Sequence, residues 1–323
     1  MQIDQFKKTL NQWGNQRIPF LFLVDFEMEN PLLFKLWEID PNELRYDFNG
    51  FTNSSKPLFV PSVSPLMKKP ISIQSYREKF DKVLSALSYG DSYLVNLTLK
   101  TEIETQSTLQ ELFFASRAKY KVWYRDEFLV FSPEIFVQMR NGKIFSYPMK
   151  GTIDAGIPGA AEIILVDNKE IAEHVTIVDL IRNDLSRVAD NVFVKRFRYI
   201  DELVTNQKKL LQVSSEIVGT LRPDYCDSLG DIIIELLPAG SVSGAPKDRT
   251  VEILREAEGE KRGFYTGVMG IFDGTNFDSG VMIRFIERIG DKLYYRSGGG
   301  ITSQSIMENE YKEAIDKVYV PVD

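Results

Sequence analysis

Residues 141–152 read Asn141-Gly142-Lys143-Ile144-Phe145-Ser146-Tyr147-Pro148-Met149-Lys150-Gly151-Thr152. Asn-Gly ahead of an alternating segment is a tight-hairpin signal, and the alternation that follows describes a half-buried antiparallel strand. Lys150 stands at the inner end of that strand, fixed by Pro148 before it and Gly151 after it. Desolvation there disfavours the ammonium form and lowers the pKa, and a neutral amine is a nucleophile. The plainer reading is a strand-end lysine with its head in water, because lysine is seldom fully buried.

Outward from this hairpin, strands and helices come in runs. Upstream, Ile3, Phe6, Leu10 and Trp13 fall at helical spacing, with Gly14 closing the helix. Strands are expected over Ile18–Phe26, Leu32–Ile39 and Glu43–Phe48, followed by a turn-rich patch from Gly50 to Pro70. A helix from Ser75 carries Tyr76, Phe80, Val83, Leu84 and Leu87 on one face and ends at Gly90-Asp91. A strand over Tyr93–Thr101, a helix over Leu109–Ala118 and strands over Lys121–Tyr124 and Glu127–Phe131 lead back to the hairpin. Downstream, helices are expected over Ala160–Asp167, Asn168–Val188, Gln207–Val218, Ser228–Leu237, Pro246–Glu258 and Ile306–Val318. A meander of Tyr265–Phe272, Phe277–Arg288 and Lys292–Ser297 lies between the last two, turned by Asp273-Gly274 and Gly290-Asp291. Runs of this kind favour an α+β fold over a parallel doubly wound sheet. Neither a repeat nor a long linker divides the chain, so residues 1–323 are expected to form a single domain.

The 323 residues, 43% of them apolar, suffice for a large core. The net charge of −7 and dispersed basic residues argue against a nucleic-acid or anionic-membrane surface. No apolar run reaches membrane-spanning length, and Met1-Gln2-Ile3-Asp4-Gln5 lacks the marks of a leader, so a cytoplasmic location is expected. Cys226 is the single cysteine and His174 the single histidine. Leu221 to Asp227 reads as a linker with no nucleophile turn, which argues against thiol hydrolase chemistry, including glutamine hydrolysis.

Four groups of residues carry chemical meaning. Glu170 and Glu173, and again Glu310 and Glu313, are spaced three apart on expected helices, so each pair projects from one face. Facing each other, the two pairs would suit a hard dication such as Mg²⁺; apart, they are ordinary solvated helix faces. Pro238 to Lys247 holds Gly240, Ser243, Gly244 and Pro246 at a helix entry, where free amides favour an anion. Lys247 adds a cation where the helix dipole disfavours one, which a bound anion would explain. Ser297-Gly298-Gly299-Gly300 closes a strand, and glycines there call for a close approach to the backbone. Arg284 lies in an apolar strand and must snorkel, pair internally or meet a carboxylate. Together these suggest a small, multiply carboxylated substrate.

In order and spacing these segments resemble the chorismate-utilising enzymes, the family of anthranilate, isochorismate, salicylate and aminodeoxychorismate synthases. The resemblance runs from about Ser75 to the C-terminus, after a shortened N-terminal region of about residues 1–74. It rests on Ser132-Pro133-Glu134, Pro148 to Thr152, Asp179 to Leu185, Pro238 to Lys247, Tyr265-Thr266-Gly267, Ile283-Arg284 and Ser297 to Gly300. It implies an α/β sandwich of two large antiparallel sheets flanked by helices. Lysine in the Pro-x-Lys-Gly-Thr block looks like the mark of aminodeoxychorismate synthase component I, which implies attack by Lys150 on C2 of chorismate, loss of the C4 hydroxyl and amination at C4. Glu134 matches the general acid/base. Glu173 and Glu313 match direct Mg²⁺ ligands, with Glu170 and Glu310 in support. Thr152, Ser243, Gly244, Lys247, Tyr265, Arg284, Gly298, Gly299 and Gly300 match the surface that holds the substrate. A separate glutamine amidotransferase subunit is the implied source of ammonia. Leu94 stands where water-using members place a lysine, Gln212 where many have a histidine, and Gln304 where an aspartate is usual. Amination at C2, as in anthranilate synthase, and a catalytically weak binding homologue are the competing readings.

Overall fold

Phe20-Leu21-Phe22-Leu23-Val24 is apolar without interruption, and a run of that length has no period to separate strand from helix. It folds as a strand covered on both faces. Phe20, Phe22 and Val24 pack under helices, while Leu21 and Leu23 point into a second apolar layer between two sheets. That arrangement organises the whole computed structural model, which describes residues 1–55, 62–204 and 209–322.

The chain begins with α1 (Ile3–Asn15), β1 (Phe20–Val24), β2 (Leu32–Lys35), β3 (Leu44–Phe48), β4 (Phe51–Thr52) and β5 (Met67–Lys69). It continues through α2 (Ile73–Tyr89), β6 (Leu94–Glu104), α3 (Leu109–Ala115), β7 (Tyr120–Tyr124), β8 (Phe128–Ser132), β9 (Ile135–Arg140), β10 (Lys143–Ser146) and β11 (Met149–Asp154). The middle comprises α4 (Ala160–Val166), α5 (Asn168–Ser186), β12 (Asp190–Val204), β13 (Lys209–Thr220), α6 (Leu229–Leu236), α7 (Gly240–Ser243), β14 (Gly244–Ala245) and α8 (Lys247–Glu258). It closes with β15 (Val268–Phe272), β16 (Phe277–Val281), β17 (Phe285–Ile289), β18 (Lys292–Ile301) and α9 (Met307–Asp316).

Among the described residues these strands form two antiparallel sheets of nine. The first runs β11-β13-β10-β9-β16-β15-β1-β2, with β12 on the far side of β13; the second runs β14-β6-β18-β17-β8-β7-β3-β4, with β5 beside β6. Helices α1, α5 and α6 cover the outer face of the first sheet. Helices α2, α8 and α9 pack on β6 of the second, and α3 on its interior strands β7 and β8. The fold is the expected α+β sandwich. Residues 1–55 are built into it, since β1 is internal to one sheet and β3 to the other. Sequence signals set the helix ends: the Ser72 hydroxyl accepts from the Ser75 amide at the start of α2, Gly90 at φ 92° ends it, and Thr108 and Glu111 form a capping box on α3.

Several elements differ from expectation. Gln207–Val218 was expected as a helix. From Lys209 the chain is instead β13, buried from Val213 to Gly219 and flanked by β10, β11 and β12; residues 207 and 208 lie outside the described residues. A strand covered on both faces loses its alternation and mimics a buried helix. Neither β12 nor β9 was foreseen. The expected single strand Phe277–Arg288 is two strands, β16 in the first sheet and β17 in the second. The meander's first strand begins at Val268, leaving Tyr265 in the preceding loop. Gly14 lies inside α1, where a Cβ would come 2.1 Å from the Cys226 carbonyl, so close packing rather than termination explains it. The turn-rich patch contains β4 and β5, and its residues 56–61 lie outside those described.

Two segments carry the chain between sheets. Pro133 and Glu134 connect β8 of the second sheet to β9 of the first, and Met282–Arg284 connect β16 of the first to β17 of the second. The crossings lie side by side: the Phe131 amide donates to the Arg284 carbonyl and the Val281 amide to the Glu134 carbonyl, both at 3.1 Å. Arg284 takes a φ of 54°, a left-handed conformation unusual for a non-glycine residue. Both candidate functional residues therefore sit on the seam between the sheets.

Candidate active site

Lys150 enters the site through a break in the sheet. β10 and β11 lie end to end along β13, separated by Tyr147 and Pro148, and the pairing of β11 with β13 shifts between Met149 and Thr152. Gly151, at φ 83°, supplies the conformation this bulge needs, and a Cβ there would come 2.9 Å from a Glu170 carboxylate oxygen. The bulge re-aims Lys150 so that Nζ donates to Glu173 Oε2 at 2.9 Å. About a quarter of the lysine side chain (26%) stays accessible, against 11% of Glu173.

The expected fall in the Lys150 pKa does not occur in this arrangement. Burial alone pushes it down, but Glu173, followed by Glu313 and Glu170, outweighs burial and holds Nζ as an ammonium above its ordinary range. Glu134 shifts upward. Burial raises its carboxyl above the usual range, even though Ser241, Lys150, Arg284 and Lys317 pull it down. The Ser241 hydroxyl donates to Glu134 Oε1.

The three glycines ending β18 allow the floor of the site to lie close to these groups. A Cβ on Gly298 would come 2.5 Å from the Leu97 carbonyl; one on Gly300 would come 3.1 Å from Lys150 Nζ and 3.0 Å from Leu94. On Gly299 it would lie 3.6 Å from both Glu310 Oε2 and Glu313 Oε1. The four expected carboxylates therefore line one region, facing Gly151, Lys150 and Gly299. An all-oxygen donor set around a side-chain-free cradle fits a hard dication. The fit is to donors rather than to a formed centre: among the described residues no three of them are grouped closely enough to hold a metal. Glu173 contacts Lys150, Glu313 contacts the Lys317 ammonium at 2.7 Å, and Glu310 accepts from Ser305 at 2.8 Å.

Residues of the expected anion loop bond within the fold. Ser243 donates to the Ala239 carbonyl at 3.0 Å. Lys247 bonds Asp184 at 2.9 Å and the Leu236 carbonyl at 3.1 Å, so its charge at the start of α8 is balanced from within. Gly244 lies against β6, with φ 140° and a would-be Cβ 1.9 Å from the Leu94 carbonyl. Gly244→Ala is expected to destabilise the protein by about 3 kcal/mol, from strain and overpacking together, as a lower midpoint in urea unfolding. An unchanged midpoint would show that β6 can move away.

Arg284 lies close enough to Glu134 to pull its carboxyl down, and Tyr265 lies beside Arg284. No carboxylate pairs with Arg284 among the described residues, and its guanidinium lies 5.2 Å from the ring centre of Tyr319. Tyr265 is buried, which pushes its pKa up to about 12. Thr152 is exposed, paired across β13 with Gln212. Leu94, Glu173, Thr302 and Gln304 line an open cleft of about 590 Å3 beside Lys150. His174 and Cys226 are far apart in role: His174 Nε2 lies 2.7 Å from Ser215 Oγ, while Cys226 Sγ is 2.9 Å from Arg17 at the end of α1.

Three residues here were not foreseen. Ser241 lay within the quoted glycine-rich segment, but only folding places it against Glu134. Lys317 also donates to the Gly298 carbonyl at 2.9 Å. Its spacing of four from Glu313 put it on the same helix face and could have revealed it. Tyr319 had no local signal.

A family model described as chorismate binding enzyme matches residues 36–323, beginning upstream of Ser75. A Haemophilus influenzae protein named "Uncharacterized PabA-like protein" is 46% identical across 99% of this chain and 98% of its own length. Aminodeoxychorismate synthase component 1 of Salmonella typhimurium is 34% identical across 75% of this chain and 56% of its own. Anthranilate synthase component I from Streptococcus pneumoniae shares the fold, with a TM-score of 0.72 at 22% identity, over 95% of this chain and 84% of that one. No helix among the described residues is long and apolar enough to cross a membrane.

Proposed function

The chain belongs to the family of chorismate binding enzymes, and on that footing we propose that it aminates chorismate at C4, giving 4-amino-4-deoxychorismate, with Lys150 as the nucleophile. The observation that carries this reading is the presence of two groups near each other: a lysine aimed at Glu173 by a bulge, and Glu134, a carboxyl on which Lys150 acts and which burial favours in its protonated form. Lys150 Nζ must leave Glu173 and lose a proton to solvent, to which about a quarter (26%) of its side chain is open, before it attacks. The amine then bonds to ring C2, the ring double bonds shift, and the C4–oxygen bond breaks as Glu134 supplies the proton that releases water. Ammonia adds at C4, the C2–Nζ bond breaks, and its electron pair returns to the lysine. Leu94 beside Gly300 presents an apolar surface near Nζ, where an activated water would otherwise compete.

Glu170, Glu173, Glu310 and Glu313 would hold Mg²⁺, whose charge would bind and polarise the substrate's carboxylate end. Arg284 and Lys317 lie close enough to Glu134 to pull its carboxyl down, and Tyr265 lies beside Arg284. Lys247, Ser243 and Gly244 support the scaffold that holds Ser241 against Glu134.

Ammonia is supplied by a separate glutamine amidotransferase subunit. The purified chain is expected to convert chorismate with Mg²⁺ and ammonium, and to give no product when glutamine replaces ammonium. Aminodeoxychorismate from ammonium supports the reading. Anthranilate as product would move the reaction to C2, and turnover with glutamine alone would remove the need for a partner.

A further inference from the structure

Arg284 is held from an unexpected direction. Its backbone is fixed in the seam, at φ 54°, with its carbonyl accepting from Phe131 at 3.1 Å. Its guanidinium has no carboxylate ion-pair partner among the described residues, and a guanidinium on a flexible side chain must be oriented before it can meet a ligand in bidentate fashion. The hydroxyls of Tyr295, Tyr319 and Tyr265 all act on it, and Tyr319, in the segment following α9, also sets its ring centre 5.2 Å away.

That segment is tied down mainly through its backbone. Val318 is fully buried, the Tyr319 amide donates to the Lys317 carbonyl at 3.1 Å, and the Tyr319 carbonyl accepts from the Tyr295 hydroxyl at 2.8 Å. The Arg117 amide donates to the Pro321 carbonyl at 2.6 Å. The Tyr319 ring therefore contributes little to anchoring the segment, yet it is 44% exposed and lies against a cation. An aromatic face over a guanidinium attracts it and restricts its rotation.

We propose that Tyr319 is a positioning residue for substrate recognition, its ring holding the Arg284 guanidinium in the orientation that receives a substrate carboxylate. The inference rests on the reading that this cleft binds chorismate. Lys317, two residues before Tyr319, reaches Glu313 and the Gly298 carbonyl, so the end of α9 and the segment after it address the site together.

The test is calorimetric titration of the full chain with chorismate, alongside steady-state kinetics with ammonium. Tyr319→Ala is expected to weaken binding and raise KM about tenfold, leaving kcat within about twofold and the melting temperature unchanged. Tyr319→Phe, which keeps the ring and loses only the hydroxyl, should lose clearly less than the alanine variant. In an Arg284→Lys background, Tyr319→Ala should add less than about twofold, because the guanidinium it orients is gone. Parent-like binding by Tyr319→Ala overturns the inference, as does an equal loss in both backgrounds, an equal loss in the phenylalanine variant, or a fall in kcat and melting temperature together. If the parent binds no chorismate, the functional reading fails and this inference fails with it.

Discussion

Lys150→Ala is expected to slow C4 amination by about 10²-fold or more, the usual scale for losing a positioned catalytic group. The parent enzyme, quenched after mixing with chorismate but without ammonium, should carry a substrate adduct on the peptide containing Pro148 to Thr152, visible by mass spectrometry. The alanine variant should carry none. Lys150→Arg separates two roles, because it keeps the positive charge against Glu173 but not the nucleophile. A near-normal rate in the arginine variant, with no adduct in the parent, would reduce Lys150 to an electrostatic element. The carboxylates around Nζ make this control necessary, since they favour the ammonium.

The second large effect concerns the carboxylates themselves. Glu173→Gln and Glu313→Gln are each expected to lower activity about 10²-fold or more, with unfolding transitions near that of the parent. Chelator should abolish parent activity and added Mg²⁺ restore it. Each glutamine is nearly isosteric but removes the charge that a dication requires. Full activity in chelator, or in both variants, would leave the acidic groups with no role beyond pairing Lys150 and Lys317.

Much of the architecture was legible because its helices are amphipathic and capped. Tyr76, Phe80, Val83 and Leu87 lie on the buried face of α2, as their spacing indicated. β13 was misread because its neighbours hide both faces and with them the period of two. The strand expected over Phe277–Arg288 was invisible as two, because a left-handed φ at Arg284 leaves no mark in composition. At the site, Lys150 and the four glutamates lie near one another, as sequence spacing and family resemblance together implied. Lys247 and Ser243 are both bonded within the fold. A cation and a hydroxyl beside a glycine-rich helix entry describe an anion cradle equally well whether the partner is a ligand or the protein's own Asp184 and Ala239 carbonyl. Sequence shows the donor and not the acceptor.

The seam has a consequence for how the protein acquires activity. Glu134 and Arg284 lie 150 residues apart by numbering, on crossings whose ends are each set by the pairing of a different sheet. The hydrogen bonds from Phe131 to Arg284 and from Val281 to Glu134 join the two crossings to each other, and the amide and carbonyl of Met282 tie the second crossing to Gly267 and Thr266. Chain closure over such separations must occur before these contacts can repay it, and a slip of one residue in either sheet turns alternate side chains to the opposite face. A partly folded molecule with one sheet complete therefore has no half-strength site. Catalysis arises only when both sheets reach register, so the cleft is assembled late and its activity reports completion of the fold.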